Sequence, residues 1–379
     1  MAANPAPTPA ELFLSKFVGH ITTGALGADD NAKMLLVDAF HDFNGLTIKP
    51  APGGKSGATV WIVTPALDDR KRRYVPFLVK FNTIDKMRTE RSRYEDPTQH
   101  VVPFRLHPRL DALRNKDDGK FGLLVFDFID HALSFRSALR SYTPGQLIAS
   151  LFDHTLGGCR IASKDLTDSL QSAFLRVGVP NWSKDLETAA TLACSKKKGL
   201  PSFVEVRDII NGLPTVPFRT GTVHGDLHTG NLLVAGGSTD VLLIDFGSIQ
   251  RDLPLALDPA CLEVSIGFCP AEVAKELGRC LPSEDEKWLR ENYEFPLDPA
   301  DVEPHSVLEQ QHIAEAVRAI RAEARKVETN PIPYALAVAG YLFRYASFDD
   351  NGPVECRALA YELGCNLVLD VQKRASKAP

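Results

Sequence analysis

Two polar loops set apart by an apolar hairpin constrain this chain more than any other stretch. The first runs Thr222-Val-His-Gly-Asp-Leu-His-Thr-Gly-Asn231, and the second is Asp245-Phe-Gly247. Between them, Leu232–Val234 and Val241–Ile244 read as strands, with Gly236-Gly-Ser-Thr-Asp240 as the turn. A hairpin this short holds Asn231 and Asp245 at neighbouring ends of two paired strands. The fold must therefore present three oxygen-bearing side chains, Asp226, Asn231 and Asp245, from two adjoining loops.

Those residue types suit phosphoryl transfer, which needs alignment and charge neutralisation more than covalent help. Magnesium takes oxygen ligands, so the amide carbonyl of Asn231 and the carboxylate of Asp245 fit it. Asp226 is then placed to accept the proton of an attacking hydroxyl. A lone Asp-Phe-Gly or His-x-Asp is usually turn chemistry. Both together, in this order and around a hairpin, make a far more specific signal.

His224-Gly-Asp-Leu-His-Thr-Gly-Asn231 with Ile244-Asp-Phe-Gly247 resembles the kinase-like fold of aminoglycoside and choline phosphotransferases. The run Asp258-Pro-Ala-Cys-Leu-Glu263 is similar to bacterial members of that group, in particular the kinase-like ternary-complex-associated domain proteins of signalling and conflict systems. Eukaryotic protein kinases differ in carrying Arg after the His and usually Lys where His228 stands. The recognisable motifs span Gly53 to Glu263.

The resemblance implies an α+β, two-lobed, protein-kinase-like fold with a small antiparallel-sheet lobe and a large helical lobe. It divides the chain into an N-terminal helical extension (1–45), a kinase-like N-lobe (46–129) and a helical C-lobe (130–379), with ATP and Mg2+ in the cleft. Asp226 would be the catalytic base, Asn231 and Asp245 the metal ligands, and Lys80 the phosphate anchor with Glu90 as its partner. Either Asp258 or Glu263 would support the catalytic loop, against the plainer reading of ordinary charges at a helix start.

Along the chain, residues 1–7 are Ala/Pro-rich and read as disordered. Thr8-Pro-Ala-Glu11 reads as a capping box opening a helix to Ile21. A second helix over Asp29–Phe43 puts Leu35, Leu36, Ala39, Phe40 and Phe43 on one face. The two helices read as a brace on the small lobe, the alternative being an arm that docks a protein partner.

Leu46–Lys49 and Thr59–Thr64 read as strands joined by Pro52-Gly-Gly-Lys-Ser-Gly57. Such a turn lets backbone amides approach phosphates, and Ser56 adds a hydroxyl. Glycine-rich turns are common in hairpins, so it is the position before the Lys80 strand that marks Gly53, Gly54, Ser56 and Gly57 as a phosphate cover. This is no Walker loop, which would open a helix.

Lys80 lies on the strand Val75–Phe81, and the helix from Asn82 or Thr83 to Tyr94 supplies Glu90, with Glu95 as a competitor. The plainer reading of Glu90 is a solvated face beside Arg91 and Arg93. Lys116–Lys120 reads as a turn and Phe121–Phe128 as a strand. Asp127 and Ile129 fall where a kinase-like hinge would meet adenine, by position rather than by chemistry.

A helix near Ser134–Arg140 leads into residues 141–220, which read as mostly helical, with apolar spacing over Leu147–Phe152, Leu166–Leu175 and Leu186–Leu192. Lys196-Lys-Lys198 reads as solvated surface. After the second loop, only ten residues (248–257) separate Gly247 from Asp258, with no Ala-Pro-Glu among them. That leaves little room for a long phosphorylatable loop. Three closing helices are expected over His305–Val327, Ile332–Phe348 and Val354–Lys373.

A net charge of −5 and a pI near 6.1 give no footprint for nucleic acid or an anionic membrane. Seven cysteines include no Cys-x-x-Cys pair, which fits reduced thiols. The N-terminus has no signal pattern, and Ile332–Phe348, broken by Arg344, is short for a membrane span. The expected location is the cytoplasm.

The activity implied is ATP- and Mg-dependent phosphorylation of a hydroxyl on a small-molecule acceptor. The main alternative is a nucleotide-binding regulatory module that signals through a partner. Protein phosphorylation is disfavoured by the short segment after Gly247 and by His228. A metal-assisted hydrolase built on Asp226, His228 and Asp245 would have no use for Lys80.

Overall fold

A computed structural model describes residues 30–43, 45–51, 58–66, 75–98, 101–161, 163–169, 184–276, 278, 281–348 and 352–375. The expected helix Thr8–Ile21 and the turn bearing Gly53, Gly54, Ser56 and Gly57 lie outside them. The chain divides into two compact units, Met1–Gln99 with Phe104–Ala132, and His100–Pro103 with Leu133–Pro379.

Among the described residues, the first unit is a five-stranded antiparallel sheet with a helix on each face. Its helices are α1 (Asp30–Ala39) and α2 (Ile84–Arg93). The strands are β1 (Gly45–Pro50), β2 (Thr59–Ala66), β3 (Phe77–Thr83), β4 (Lys116–Asp117) and β5 (Phe121–Asp127), in the order β1-β2-β3-β5-β4. The apolar face expected of the second helix is real. Leu35, Leu36, Ala39, Phe40 and Phe43 are buried against Trp61, Val63, Val79, Phe81 and Val125. At roughly 1.5–3 kcal/mol for each large side chain buried, this contact makes α1 a brace.

The helix stops at Ala39 because Arg114 takes that residue's carbonyl (2.7 Å) and forks onto both oxygens of Asp42 (2.7 Å each). Its guanidinium also lies 4.8 Å from the centre of the Phe43 ring.

The alternation of β3 decides where Lys80 points. Val79 and Phe81 enter the core beneath α1, so Lys80 faces the other side. There α2 packs on β3 and β5. Gly122 permits the approach, since a Cβ at that position would lie 3.0 Å from Met87 Cβ. Met87 and Glu90, one turn apart, form the buried stripe of α2.

Among the described residues, the second unit holds two three-stranded antiparallel sheets and most of the helices. One sheet joins β6 (Leu133–Ser134), β9 (Leu232–Val234) and β10 (Val241–Leu243), in the order β10-β9-β6. The other joins β7 (Lys164–Ser169), β8 (Thr215–Val223) and β11 (Gln250–Pro254), in the order β11-β8-β7. Its helices are α3 (Phe135–Ser141), α4 (Pro144–Ala149), α5 (Gly157–Ile161), α6 (Lys184–Lys196), α7 (Phe203–Asn211), α8 (Leu257–Gly267), α9 (Cys269–Glu276), α10 (Ser283–Asn292), α11 (Gln311–Val327), α12 (Pro331–Ala346) and α13 (Val354–Ala375).

Residues 141–220 are mostly helical where described, as read, and the sheet β11-β8-β7 departs from that reading only over the helical spacing expected for Leu166–Leu175, of which 170–175 lie outside the described residues. Residues 164–169, which overlap the start of that spacing, form an edge strand on β8. Leu166 is exposed there, so the helix-like spacing was a coincidence of composition that backbone pairing overrode.

Three long helices close the chain. α11 begins at Gln311, six residues later than His305, and α12 is buried almost all round. Among the described residues, no helix is long and apolar enough to cross a membrane. Glu263, buried on α8, forks onto Arg321 of α11 (2.7 Å) and accepts from Tyr334 of α12 (2.5 Å), tying these three helices together.

Candidate active site

In the second unit the hairpin pairs as its sequence demands, with Leu243 opposite Leu232 and Val241 opposite Val234. One step beyond the ladder, the amide of Ile244 donates to the carbonyl of Asn231 (3.0 Å). Asn231 and Asp245 are therefore fixed at adjoining strand ends.

The loop between β8 and β9 is held mainly by its backbone. Its first buried ring, His224, shares a 3.1 Å hydrogen bond between Nε2 and the Ile244 carbonyl, which links the two loops. Asp258, at the start of α8, accepts the amides of His224 (2.8 Å) and Gly225 (2.9 Å). Of the two acids expected to support this loop, Asp258 does so. Burial raises its carboxyl above the usual aspartate range, opposed by His224 and by the two N–H groups. Tyr341 of α12 donates to the carbonyl of Gly225 (3.3 Å).

Gly225 has to be glycine. Its φ is +76°, and a Cβ there would lie 2.7 Å from the Ser248 carbonyl oxygen.

Asn231 Nδ2 donates to the Asp226 carbonyl (2.9 Å). An amide that spends its nitrogen this way leaves Oδ1 as the atom to face a cation. Asp245 sits in the left-handed region (φ 61°) and accepts from Gly247 N (3.3 Å), so its carboxylate is turned by a strained residue. Together they offer a carboxylate and an amide oxygen, a donor set that suits Mg2+, which keeps several waters and substrate phosphates.

Among the described residues no three His, Cys, Asp or Glu side chains gather as a metal site.

The Asp226 carboxylate is one-quarter exposed and faces one guanidinium and one imidazole. Arg344 Nη2 is 2.9 Å from Oδ1, and His228 Nε2 is 3.8 Å from Oδ2. His228 Nδ1 accepts from Gly230 N (3.0 Å), so the ring carries its proton on Nε2. Burial works against the charge on Arg344, yet Asp226 beside it carries the guanidinium above its usual range.

Arg344 escaped the sequence reading, which treated it as a break in an apolar run. The available signal was its isolation, because it is the single charged residue of α12.

In the first unit Lys80 Nζ meets Glu90 Oε1 at 2.7 Å, and both side chains are buried. Glu95 instead pairs with Arg91 (2.7 Å). Asp127 has its amide on the Arg109 carbonyl (2.8 Å) and its carboxylate on the Arg109 guanidinium (3.0 Å). Its side chain is therefore engaged locally, and Ile129 follows half-buried in the segment after β5.

Comparison with known proteins gives two family matches. The model described as "Phosphotransferase enzyme family" matches residues 47–256, more than half of the chain. The one described as "Ternary complex associated domain 9" matches residues 206–330.

Among solved structures, an aminoglycoside-3'-phosphotransferase of type VIII is 17% identical, with 76% of this chain and 99% of that chain covered and a TM-score of 0.39. The GDP and kanamycin complex of APH(2")-IIia is 10% identical, covering 91% and 98%, with a TM-score of 0.45. An ethanolamine kinase from Plasmodium vivax is 12% identical, covering 100% and 96%, with a TM-score of 0.38. None of the curated proteins compared with the chain matches it.

Proposed function

The chain belongs to the phosphotransferase enzyme family, with a kinase-like α+β fold, and from that premise we propose that it moves the γ-phosphate of ATP to a hydroxyl of a small-molecule acceptor. One observation carries the reading. The side chain of Asn231 holds the peptide of Asp226 while the hairpin sets Asn231 beside Asp245. A proton acceptor and two oxygen ligands are thereby built into one rigid element.

In this reading Asp226 is the base. Asn231 and Asp245 hold Mg2+, which when bound neutralises phosphate charge. Lys80, kept extended by Glu90, anchors the α- and β-phosphates. The turn with Gly53, Gly54, Ser56 and Gly57 covers them, and the Asp127–Ile129 segment meets adenine through its backbone.

The preference for a small acceptor rests on the segment after Asp245. Phe246–Ser248 is a single 3₁₀ turn, β11 is locked onto β8, and α8 follows at Leu257. A protein-kinase-type loop, which switches by ordering on phosphorylation, would need free length at this place.

A second reading, a nucleotide-binding regulatory module, is supported by the match to "Ternary complex associated domain 9". Titration calorimetry with MgATP, paired with mass spectrometry of a panel of sugars, amino alcohols and nucleosides, separates the two. Binding plus a phosphorylated product supports transfer. Binding with neither product nor hydrolysis supports the module, and absence of binding contradicts both.

A further inference from the structure

The catalytic loop is gripped from α12 by two residues three apart on one helix face. Tyr341 holds the carbonyl of Gly225, and Arg344 pairs with the carboxylate of the next residue, Asp226. α12 lies beyond both matched spans, 47–256 and 206–330, so Arg344 is not a residue the family matches account for. A guanidinium on an otherwise apolar helix, with 27% of its side chain exposed, is costly without a partner. Asp226 is that partner.

The plainer role for Arg344 is a staple between helix and loop, but the backbone is already stapled. Asp258 takes two amides, Tyr341 takes the Gly225 carbonyl, and Asn231 takes the Asp226 carbonyl. All of these act on main-chain atoms and leave the two side-chain torsions of Asp226 unconstrained. Arg344 acts on the side chain itself. It occupies Oδ1, while Oδ2 has His228 Nε2 at 3.8 Å, beyond hydrogen-bond reach.

We propose that Arg344 is a positioning residue, which takes Oδ1 of Asp226 and so presents Oδ2 to the acceptor hydroxyl. The inference rests on the reading of Asp226 as base. In the transfer, the acceptor oxygen forms its bond to the γ-phosphorus as the bond from that phosphorus to the β–γ bridging oxygen breaks. The electron pair leaves with ADP. The hydroxyl proton passes to Oδ2 and later to solvent, and Arg344 stays protonated throughout.

The test pairs crystal structures of wild type, Arg344→Gln and Arg344→Lys with steady-state kinetics of MgATP turnover, using water or a competent acceptor. The expected result for Arg344→Gln is an Asp226 carboxylate that leaves its wild-type orientation and a kcat lower by about 10- to 100-fold, the scale of an ångström-sized misplacement. KM for MgATP should stay within about twofold, because uniform binding is untouched. Arg344→Lys, which keeps the charge, should hold the carboxylate and retain kcat within about tenfold.

An unmoved carboxylate in Arg344→Gln overturns the proposal, and so does an unchanged kcat or an equal loss in both variants. If wild type shows no turnover at all, the proposed function fails. The orientation of Asp226 in Arg344→Gln then decides the positioning role by itself.

Discussion

Lys80 Nζ and Glu90 Oε1 lie 2.7 Å apart, with 9% and 10% of their side chains exposed. Breaking so buried a pair from one side removes the partner of a desolvated charge, at a cost of about 3–5 kcal/mol. Lys80→Ala should therefore lower stability by about 3 kcal/mol and turnover by about 100-fold or more. The double variant Lys80→Ala/Glu90→Ala should regain most of the stability and none of the turnover. Urea denaturation and MgATP kinetics check both halves.

Gly122 tests the same pair at a distance. An added methyl would lie 3.0 Å from Met87 Cβ and 3.2 Å from its Cγ, so α2 has to yield. Gly122→Ala should cost about 1–2 kcal/mol by overpacking. It should also weaken MgATP binding in calorimetry, because Glu90 rides on the displaced helix.

Asp258 satisfies one buried and one half-buried amide at the base of the loop between β8 and β9. Asp258→Ala orphans both, at about 1–3 kcal/mol for each unsatisfied group. The account predicts a loss of about 3 kcal/mol in chemical denaturation and loss of transfer activity.

Asp245 separates chemistry from fold. Its left-handed φ of 61° is a conformation that asparagine tolerates and branched residues do not. Asp245→Asn should keep the wild-type melting temperature within a few degrees and lose Mg-dependent turnover by about 100-fold or more. Asp245→Val should lose stability as well.

Acid should loosen the first unit through His107. Burial lowers its pKa below the usual 6.5, against a raising contribution from the Pro108 carbonyl. A histidine whose folded pKa is depressed favours the native state fully above 6.5, and that contribution is lost as pH falls through the lower folded value. His107→Gln should flatten the pH dependence of unfolding below neutrality, measured by denaturation at stepped pH.

What was legible in the sequence follows from how local each feature is. The hairpin from Leu232 to Leu243 is set by adjacent residues and a glycine turn, so the placing of Asn231 and Asp245 at adjoining strand ends could be read directly. The brace helix α1 declared itself through five apolar positions on one face.

The sheet of β7, β8 and β11 did not. Val216 and Phe218 alternate inward on β8, but Lys164–Ser169 carries no alternation of its own and is a strand only because β8 pairs with it. The contact between Arg344 and Asp226 was illegible in a stronger sense. It joins residues more than a hundred positions apart through the packing of α12, which no local spacing encodes.

Transfer of labelled γ-phosphate from MgATP to a hydroxyl acceptor, compared among wild type, Asp226→Ala and Asp245→Ala, tests the central claim most directly. The account predicts transfer by wild type and a fall of about 100-fold or more in both variants, with both still folded. Transfer at the wild-type rate by Asp226→Ala, or wild type that fails to bind MgATP, would contradict it.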